Sequence, residues 1–166
     1  LQLLATGFEG WSNLCRLSSA IALDTSCSLD LLASHAKDLI ALSGNPKPLI
    51  DIFRDRLYFA LSDPAQAIPN FARPVAVHPI YYLKPEQAAL QRTLTAIRLN
   101  QTVDKIPLRS GYHFLSPQEM ESRFADFPGA LAATHEIAER CRFDFPLGVP
   151  QHLHAGPAGT GRRQPS

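Results

Sequence analysis

Residues 73–104 read RPVAVHPIYYLKPEQAALQRTLTAIRLNQTVD, and this stretch places a strand, a turn and a helix back to back. The run PVAV is short, apolar and rich in β-prone residues, which is typical of a strand covered on both faces. Pro79 ends the strand, because proline cannot donate to a β-ladder and restricts the residue before it. In α/β folds, side chains that perform chemistry gather at the carboxyl ends of strands. Here that position reads HPIY at residues 78–81.

Strand and helix patterns alternate along the rest of the chain. Apolar runs predict strands at residues 1–5, 39–42 and 56–61, in addition to the one at 74–77. Helix starts are predicted near residue 10, at the N-cap Ser28, at Pro85, at the capping box after Ser116 and at Asp126. This alternation predicts an α/β domain with a largely parallel sheet.

Three predicted helices carry an apolar face at helical spacing. The first follows a turn at residues 7–10 and spans 10–22; the others begin at residues 85 and 126. The residues at this spacing are Trp11, Leu14, Leu17 and Ile21; Leu90, Leu94 and Ile97; and Leu131, Thr134, Ile137, Ala138 and Cys141.

Length and composition indicate one globular domain. The chain has 166 residues, of which 45% are hydrophobic and 19% charged, and a net charge of +1. A domain of that size buries about 68–70% of its unfolded surface and needs no disulfide staples. The near-zero net charge gives no electrostatic case for nucleic acid by itself. The domain is expected at residues 1–150, and the Gly-, Pro- and Arg-rich residues 151–166 are expected to be a disordered or linker tail.

The cysteines and terminal segments bear on the compartment. Cys15, Cys27 and Cys141 lack metal-type spacing and are odd in number, which favours buried free thiols in a reducing cytosol. No apolar run approaches the ~18 residues of a membrane span, and no signal peptide is visible. The expected location is therefore cytoplasmic, with no membrane partner. A first residue that is Leu and not Met suggests a fragment of a longer protein.

Few residues suggest chemistry, and each has a structural interpretation beside the functional one. The sequence contains no phosphate-cradling glycine motif. His78, at a strand end, is a candidate metal ligand or general base, or a turn histidine. His113 is a candidate phosphate contact, or a structural residue. His152 and His154 have the H-x-H form of metal sites, but lie in the tail without a neighbouring carboxylate.

Six collinear segments resemble the PHP (polymerase and histidinol phosphatase) domain of bacterial DNA polymerase III alpha subunits and error-prone DNA polymerases. LLATGFEGWSNLCRL (3–17) is similar to the family's LLAxNxxGYxNLxRL, LIALSG (39–44) to GLIALSGC, and RLYFAL (56–61) to RFYLEL. PVAVHPIYYL (74–83) occupies the place of PLVATNDVHYL. SPQEMESRF (116–124) is similar to SPEEMxxxF, and IAERCRF (137–143) to IAERCNF. The resemblance covers about residues 1–150.

The resemblance implies a distorted (β/α) barrel with largely parallel strands, of which this chain would hold a part. In intact family members, His, Asp, Glu and Cys at the strand ends hold divalent metal ions. Such a cluster supports phosphoester hydrolysis, including 3′–5′ proofreading, because the metals activate water and neutralise the phosphate's developing charge.

This sequence departs from the family at each ligand position that can be compared. Asn45 stands where the family has Cys, Pro64 where it has His, and Pro79 and Tyr81 where it has Asp and His. Proline and a tyrosine expected to be buried cannot replace a carboxylate or imidazole at a divalent metal. His78 falls on the family's Asn, one position from the ligand. The family's opening histidine motifs would lie upstream of residue 1.

Two crossovers between predicted strands, residues 45–54 and 63–73, are also short. A parallel crossover needs a dozen or more residues, so these connections are expected to lack their usual helices.

The sequence therefore predicts a degenerate PHP segment of a replicative or error-prone polymerase that acts as a non-catalytic structural module. No cofactor is expected. The expected partners are the palm and thumb of the parent polymerase and other replisome subunits, with DNA bound only through the parent. The alternative is a free-standing metal-dependent phosphoesterase that uses His78, His113 and Asp63. A third possibility is an unrelated α/β domain.

Overall fold

A computed structural model describes residues 1–23 and 28–145 of the chain. Cys27, the predicted tail at residues 151–166 and the His152–His154 pair lie outside the described residues. No helix in the described part is long and apolar enough to cross a membrane.

A four-stranded sheet organises the molecule. Its strands are β1 (Gln2–Ala5), β2 (Leu39–Ser43), β3 (Leu57–Leu61) and β4 (Arg73–Ala76), in the order β1-β2-β3-β4. β2, β3 and β4 are parallel to one another, and β1 is antiparallel to β2. The predicted α/β class and largely parallel sheet are confirmed. Over the described residues the sheet is open, so the barrel is not confirmed.

Helices and short 3₁₀ turns connect and cover these strands. The helices are α1 (Phe8–Ala22), α2 (Leu29–Ser34), α3 (Ile50–Phe53), α4 (Ala88–Arg98), α5 (Pro117–Arg123) and α6 (Pro128–Arg140). Ser28 caps α2 and Ser116 forms the capping box of α5, as predicted. The first short crossover contains only α3 between two 3₁₀ turns, Lys47–Leu49 and Arg54–Arg56. The second, residues 63–73, contains no helix within this fully described range.

The core forms on both faces of β2, whose five residues are all buried. Leu39 and Ala41 belong to one cluster with Leu17 of α1 and Phe53 of α3. Ile40 and Leu42 belong to a second cluster, with Tyr58 and Val75 of the sheet and Ala133 and Ile137 of α6. Alternate residues of one strand point to opposite faces, so this apolar run is covered twice, as an internal strand of an α/β sheet requires.

Helix α1 begins earlier than predicted, and only part of its apolar side is buried. It starts at Phe8, inside the predicted turn, and Trp11 and Ile21 are exposed. Gly10 and Asn13 face inward instead. A Cβ on Gly10 would lie 2.1 Å from the carbonyl oxygen of Asp38. The helix approaches the chain before β2 so closely that only glycine fits, and this contact sets the rotation of the helix.

The apolar face of α4 is exposed. Leu90, Leu94 and Ile97 are each more than half exposed, and Ala96 on the other side is buried. The principal contacts of α4 are with the 3₁₀ turns Pro85–Gln87 and Val103–Lys105, before and after it in the chain. The predicted helix is present, but it packs against its own flanking segments and not, through its apolar face, onto the sheet.

The buried face of α6 includes only part of the side that was singled out in the sequence. Three of the predicted residues are at least partly buried: Leu131, Ile137 and Cys141. Thr134 and Ala138 are exposed, while Ala130 and Ala133 are buried. Two small residues let the helix pack closely on β4.

The cysteine prediction is only partly right. Cys15 is exposed on the outer side of α1, so it is not the buried thiol that was expected. Cys141 is partly buried, and burial raises the pKa of its thiol.

Candidate functional site

The three parallel strands end at the same edge of the sheet. We call this the carboxyl edge and define it as residues 43–45, 62–64 and 77–81, which follow or end β2, β3 and β4. In α/β folds, ligands bind outside the carboxyl ends of strands. The predicted residues His78 and Asp63 and the departures at Asn45, Pro64 and Tyr81 therefore belong to one region.

His78 joins the end of β4 to the segment before α5. Its Nε2 lies 2.9 Å from the carbonyl oxygen of His113. A carbonyl only accepts hydrogen bonds, so Nε2 carries the hydrogen and Nδ1 of the neutral ring keeps its lone pair. That Nδ1 is buried without a hydrogen-bond partner among the described residues. Nearby, the N–H of Tyr81 donates to the carbonyl of Tyr112 at 2.9 Å. These contacts tie two loops together.

The structure brings His113 beside His78, as the alternative enzyme hypothesis requires. The side chain of His113, however, makes no hydrogen bond among the described residues. Its Nε2 is 3.7 Å from Oε1 of Glu119, beyond hydrogen-bond range. Its Nδ1 is buried and unpartnered in the described structure. Glu119 serves mainly the cap of α5: the N–H of Ser116 donates to it at 2.7 Å, and this bond is the main reason that the pKa of Glu119 is lowered.

Asp63 is occupied in a turn. Its carboxylate accepts a hydrogen bond from the N–H of Ala65 at 3.0 Å. Oε1 of Gln66 accepts from the N–H groups of Ser62 and Asp63 at 3.3 and 3.4 Å. No hydrogen bond joins Asp63 to either histidine within residues 1–23 and 28–145. The structure therefore brings together two of the three predicted residues.

Two further features of this edge were not predicted. Tyr81 was expected to be buried, but it is 48% exposed, and its ring packs on that of Tyr112 at a centroid distance of 5.3 Å. Nη2 of Arg123 donates to the carbonyl oxygen of Ser62 at 3.2 Å. This contact places a cation at the end of β3. The sequence gave no signal for the contact, because the two residues are 61 positions apart.

The residues at the carboxyl edge do not fit the metal cluster that the resemblance implies. In the described part of the chain, no group of three or more His, Cys, Asp or Glu side chains could hold a metal ion. Divalent metals take several converging carboxylate or imidazole ligands. Here two histidines lie near each other, Asp63 caps a turn and Arg123 binds the end of β3.

The opposite edge of the sheet holds a polar cluster that sequence reasoning missed. We call Tyr58, Arg73, Glu136 and Arg140 the amino-edge cluster. The hydroxyl of Tyr58 donates to Glu136 at 3.0 Å, Arg73 donates two bonds to the same carboxylate at 2.6 and 3.2 Å, and Arg140 donates to the Tyr58 oxygen at 3.1 Å. The tyrosine inside the apolar strand run RLYFAL could have indicated this cluster, because a buried hydroxyl needs a hydrogen-bond partner.

Electrostatics in this cluster follow from burial and pairing. Burial raises the pKa of Tyr58, and its hydrogen bond to Glu136 raises it further. The hydrogen bond from Arg73, followed by that from Tyr58, lowers the pKa of Glu136. The cluster joins β3, β4 and α6 at the amino-terminal side of the parallel strands.

Comparison with known proteins shows to which proteins the chain is similar. No family model matches the chain. It is 34% identical over 168 residues to error-prone DNA polymerase 1 of Agrobacterium fabrum, an alignment that covers 87% of this chain. It is 28% identical to the DNA polymerase III subunit alpha of Thermus aquaticus and 29% identical to that of Caulobacter vibrioides, over 89% and 99% of the chain.

Over most of its length, therefore, the chain is similar to bacterial DNA polymerase III alpha subunits and error-prone DNA polymerases. The polymerase part of the sequence-based resemblance is confirmed, and its PHP part stays a prediction. The chain spans only 15%, 16% and 18% of the length of these three relatives.

Proposed function

We propose that this chain is a PHP-type segment of a bacterial replicative or error-prone DNA polymerase and serves there as a structural module. The observation that carries the proposal is the similarity to these polymerases over most of the chain, combined with a carboxyl edge that lacks a converging set of metal ligands. The four strands would form part of a distorted barrel. DNA-directed DNA synthesis would belong to the parent polymerase, and the segment itself would be non-catalytic and need no cofactor.

An exposed apolar stripe on α4 supports a docking role. Leu90, Leu94 and Ile97 lie on one side of the helix and are 57%, 52% and 71% exposed. Large exposed apolar patches mark interaction sites on soluble proteins. We propose that the palm or thumb of the parent polymerase covers this stripe, with other replisome subunits as further partners. DNA synthesis and this assembly would take place in the cytoplasm.

A second candidate function is a free-standing metal-dependent phosphoesterase. The observation that favours it is the pair of buried Nδ1 atoms on His78 and His113, which have no hydrogen-bond partner among the described residues. Unpartnered imidazole nitrogens are potential metal ligands. Against it stand the turn contacts of Asp63 and the guanidinium of Arg123 at the end of β3.

Bound metal separates the two functions. The purified full chain is incubated with manganese and zinc, freed of excess metal and measured by elemental analysis, and hydrolysis of a generic phosphodiester is assayed in parallel. The structural role predicts a metal content near zero, no hydrolysis, and no change in the variant His78→Gln/His113→Gln. Two or three tightly bound metals per chain that are lost in the double variant, with hydrolysis lost in step, would overturn the structural role.

A further inference from the structure

A cavity of about 410 Å³ lies between α4 and residues 106–109, beside the carboxyl edge. Its volume falls within the roughly 300–1,000 Å³ of small-ligand pockets. Its polar lining consists of Tyr81, Gln91, Arg92, Thr95, Arg98 and Arg109, and no acidic side chain lines it. Neither the similarity to polymerases nor the structural role assigned above uses this cavity.

The three arginines concentrate positive charge in the cavity. Across the described residues, none of them forms an ion pair with a carboxylate. Arg92 donates through Nε to the carbonyl of Ile106 at 2.5 Å, which fixes its guanidinium in the wall. Asp104 does not line the cavity, and its pKa is lowered mainly by its hydrogen bond to Thr102. The net charge of +1 conceals this local concentration.

An aromatic ring lies beside these charges. Tyr81 is half exposed, and the guanidinium of Arg109 lies 6.0 Å from its ring centroid. The ring of Tyr112 also packs against it, at a centroid distance of 5.3 Å. Proteins that bind single-stranded nucleic acid combine basic groups for phosphates with aromatic rings on which bases stack.

We propose that this cavity binds a nucleotide, with its phosphates on Arg92, Arg98 and Arg109 and its base on Tyr81. Guanidinium groups suit phosphate because their planar donors bind its oxygens in pairs. The occupant is either a free nucleoside triphosphate or one nucleotide of a single strand, since both present the same chemistry. The inference stands on the cavity alone and holds whether or not the chain is a polymerase module.

The test is fluorescence anisotropy of labelled oligo(dT) with the full chain at low salt, with dTTP and tripolyphosphate as competitors. Arg98→Ala and Arg109→Ala are each expected to weaken binding about tenfold and to lower the slope of log affinity against log salt by about 0.7. Neither side chain makes a hydrogen bond in the described structure, so thermal melting should be unchanged. Tyr81→Ala is expected to weaken binding about tenfold, whereas Tyr81→Phe should retain it.

Arg142→Ala is the matched control. Arg142 is exposed, pairs with Glu139 and lies outside the cavity, so its loss removes the same charge at a neutral position. Displacement of the strand by dTTP at concentrations no higher than the strand's own dissociation constant identifies a free nucleotide as the occupant, and displacement only at much higher concentrations identifies a strand. The proposal is overturned if neither probe binds, if Arg142→Ala weakens binding as much as Arg98→Ala, or if tripolyphosphate displaces the probe as well as dTTP.

Discussion

The two edges of the parallel sheet hold polar groups in different ways. At the amino edge, hydrogen bonds among Tyr58, Arg73 and Glu136 join three elements. The bonded residues are separated by 63 and 78 positions in the sequence. At the carboxyl edge, Asp63 bonds to a backbone group two residues away, and His78 bonds to a backbone carbonyl. The first arrangement links secondary-structure elements, and the second closes turns and loops.

The difference between the two edges bears on whether each one supports stability or chemistry. In (β/α) architectures the amino-terminal side of the strands supports stability and the carboxyl-terminal side carries chemistry. Here the stabilising side has a charged network, and the chemical side has side chains engaged in local caps. A structural module of the kind proposed above needs only the first of these two arrangements.

Removing the ring of Tyr58 should have the largest effect. Tyr58 is fully buried between the sheet and α6, so Tyr58→Ala is expected to lower the free energy of unfolding by about 3–5 kcal/mol, as for other large aromatic-to-alanine changes. Urea denaturation measures it. Tyr58→Phe is the control: it keeps the ring, loses the hydroxyl bonds and should cost about 1 kcal/mol. Equal costs for the two variants would contradict the packing role of the ring.

The close approach at Gly10 should give the next largest effect. In Gly10→Ala the new methyl group would collide with the backbone carbonyl of Asp38, which cannot move without shifting the start of β2. The expected cost is about 1–3 kcal/mol, measured by the thermal midpoint. Gly129→Ala in the first turn of α6 meets open space and should be neutral or stabilising by up to about 1 kcal/mol. Similar destabilisation by both variants would show that the contact at Gly10 is not the cause.

The charge on Glu136 should make the amino edge sensitive to acid. Its pKa is lower in the folded chain than its ordinary value of about 4.3. The pairing therefore stabilises the fold fully above that value and is lost as pH falls through the folded pKa. Urea midpoints of the wild type and Glu136→Gln should differ at neutral pH and converge in acid. The carboxylate is 38% exposed, so added salt should shrink the neutral-pH difference. A difference that persists at low pH would exclude this charge as its source.

A change at the carboxyl edge should have the smallest effect. His78→Gln keeps an N–H that can donate to the carbonyl of His113, so the free energy of unfolding should change by no more than about 0.5 kcal/mol. Urea denaturation of this variant beside Tyr58→Phe compares the two edges directly. A larger loss of unfolding free energy in His78→Gln than in Tyr58→Phe would reverse the comparison and point to an unrecognised role for the histidine.

Sequence patterns predicted the parts of the fold that depend on near neighbours. Strand positions follow from apolar runs, and the caps at Ser28 and Ser116 follow from local hydrogen-bonding chemistry. Periodicity showed that α4 has an apolar face, but it cannot state what covers that face. The bonds of Tyr58 to Glu136 and of Arg123 to Ser62 span 78 and 61 residues. No local pattern records such pairings, because they depend on how the finished elements meet.

The position of α6 in the chain constrains the order of folding during synthesis. Ile40, Leu42, Tyr58 and Val75 are made early, yet Ala133 and Ile137, which complete their cluster, come near the end of the described chain. A ribosome-bound chain therefore presents an uncovered apolar sheet face until α6 has emerged. Incomplete chains with such exposed surface are prone to aggregate. Truncated chains that stop before residue 141 should therefore aggregate on expression.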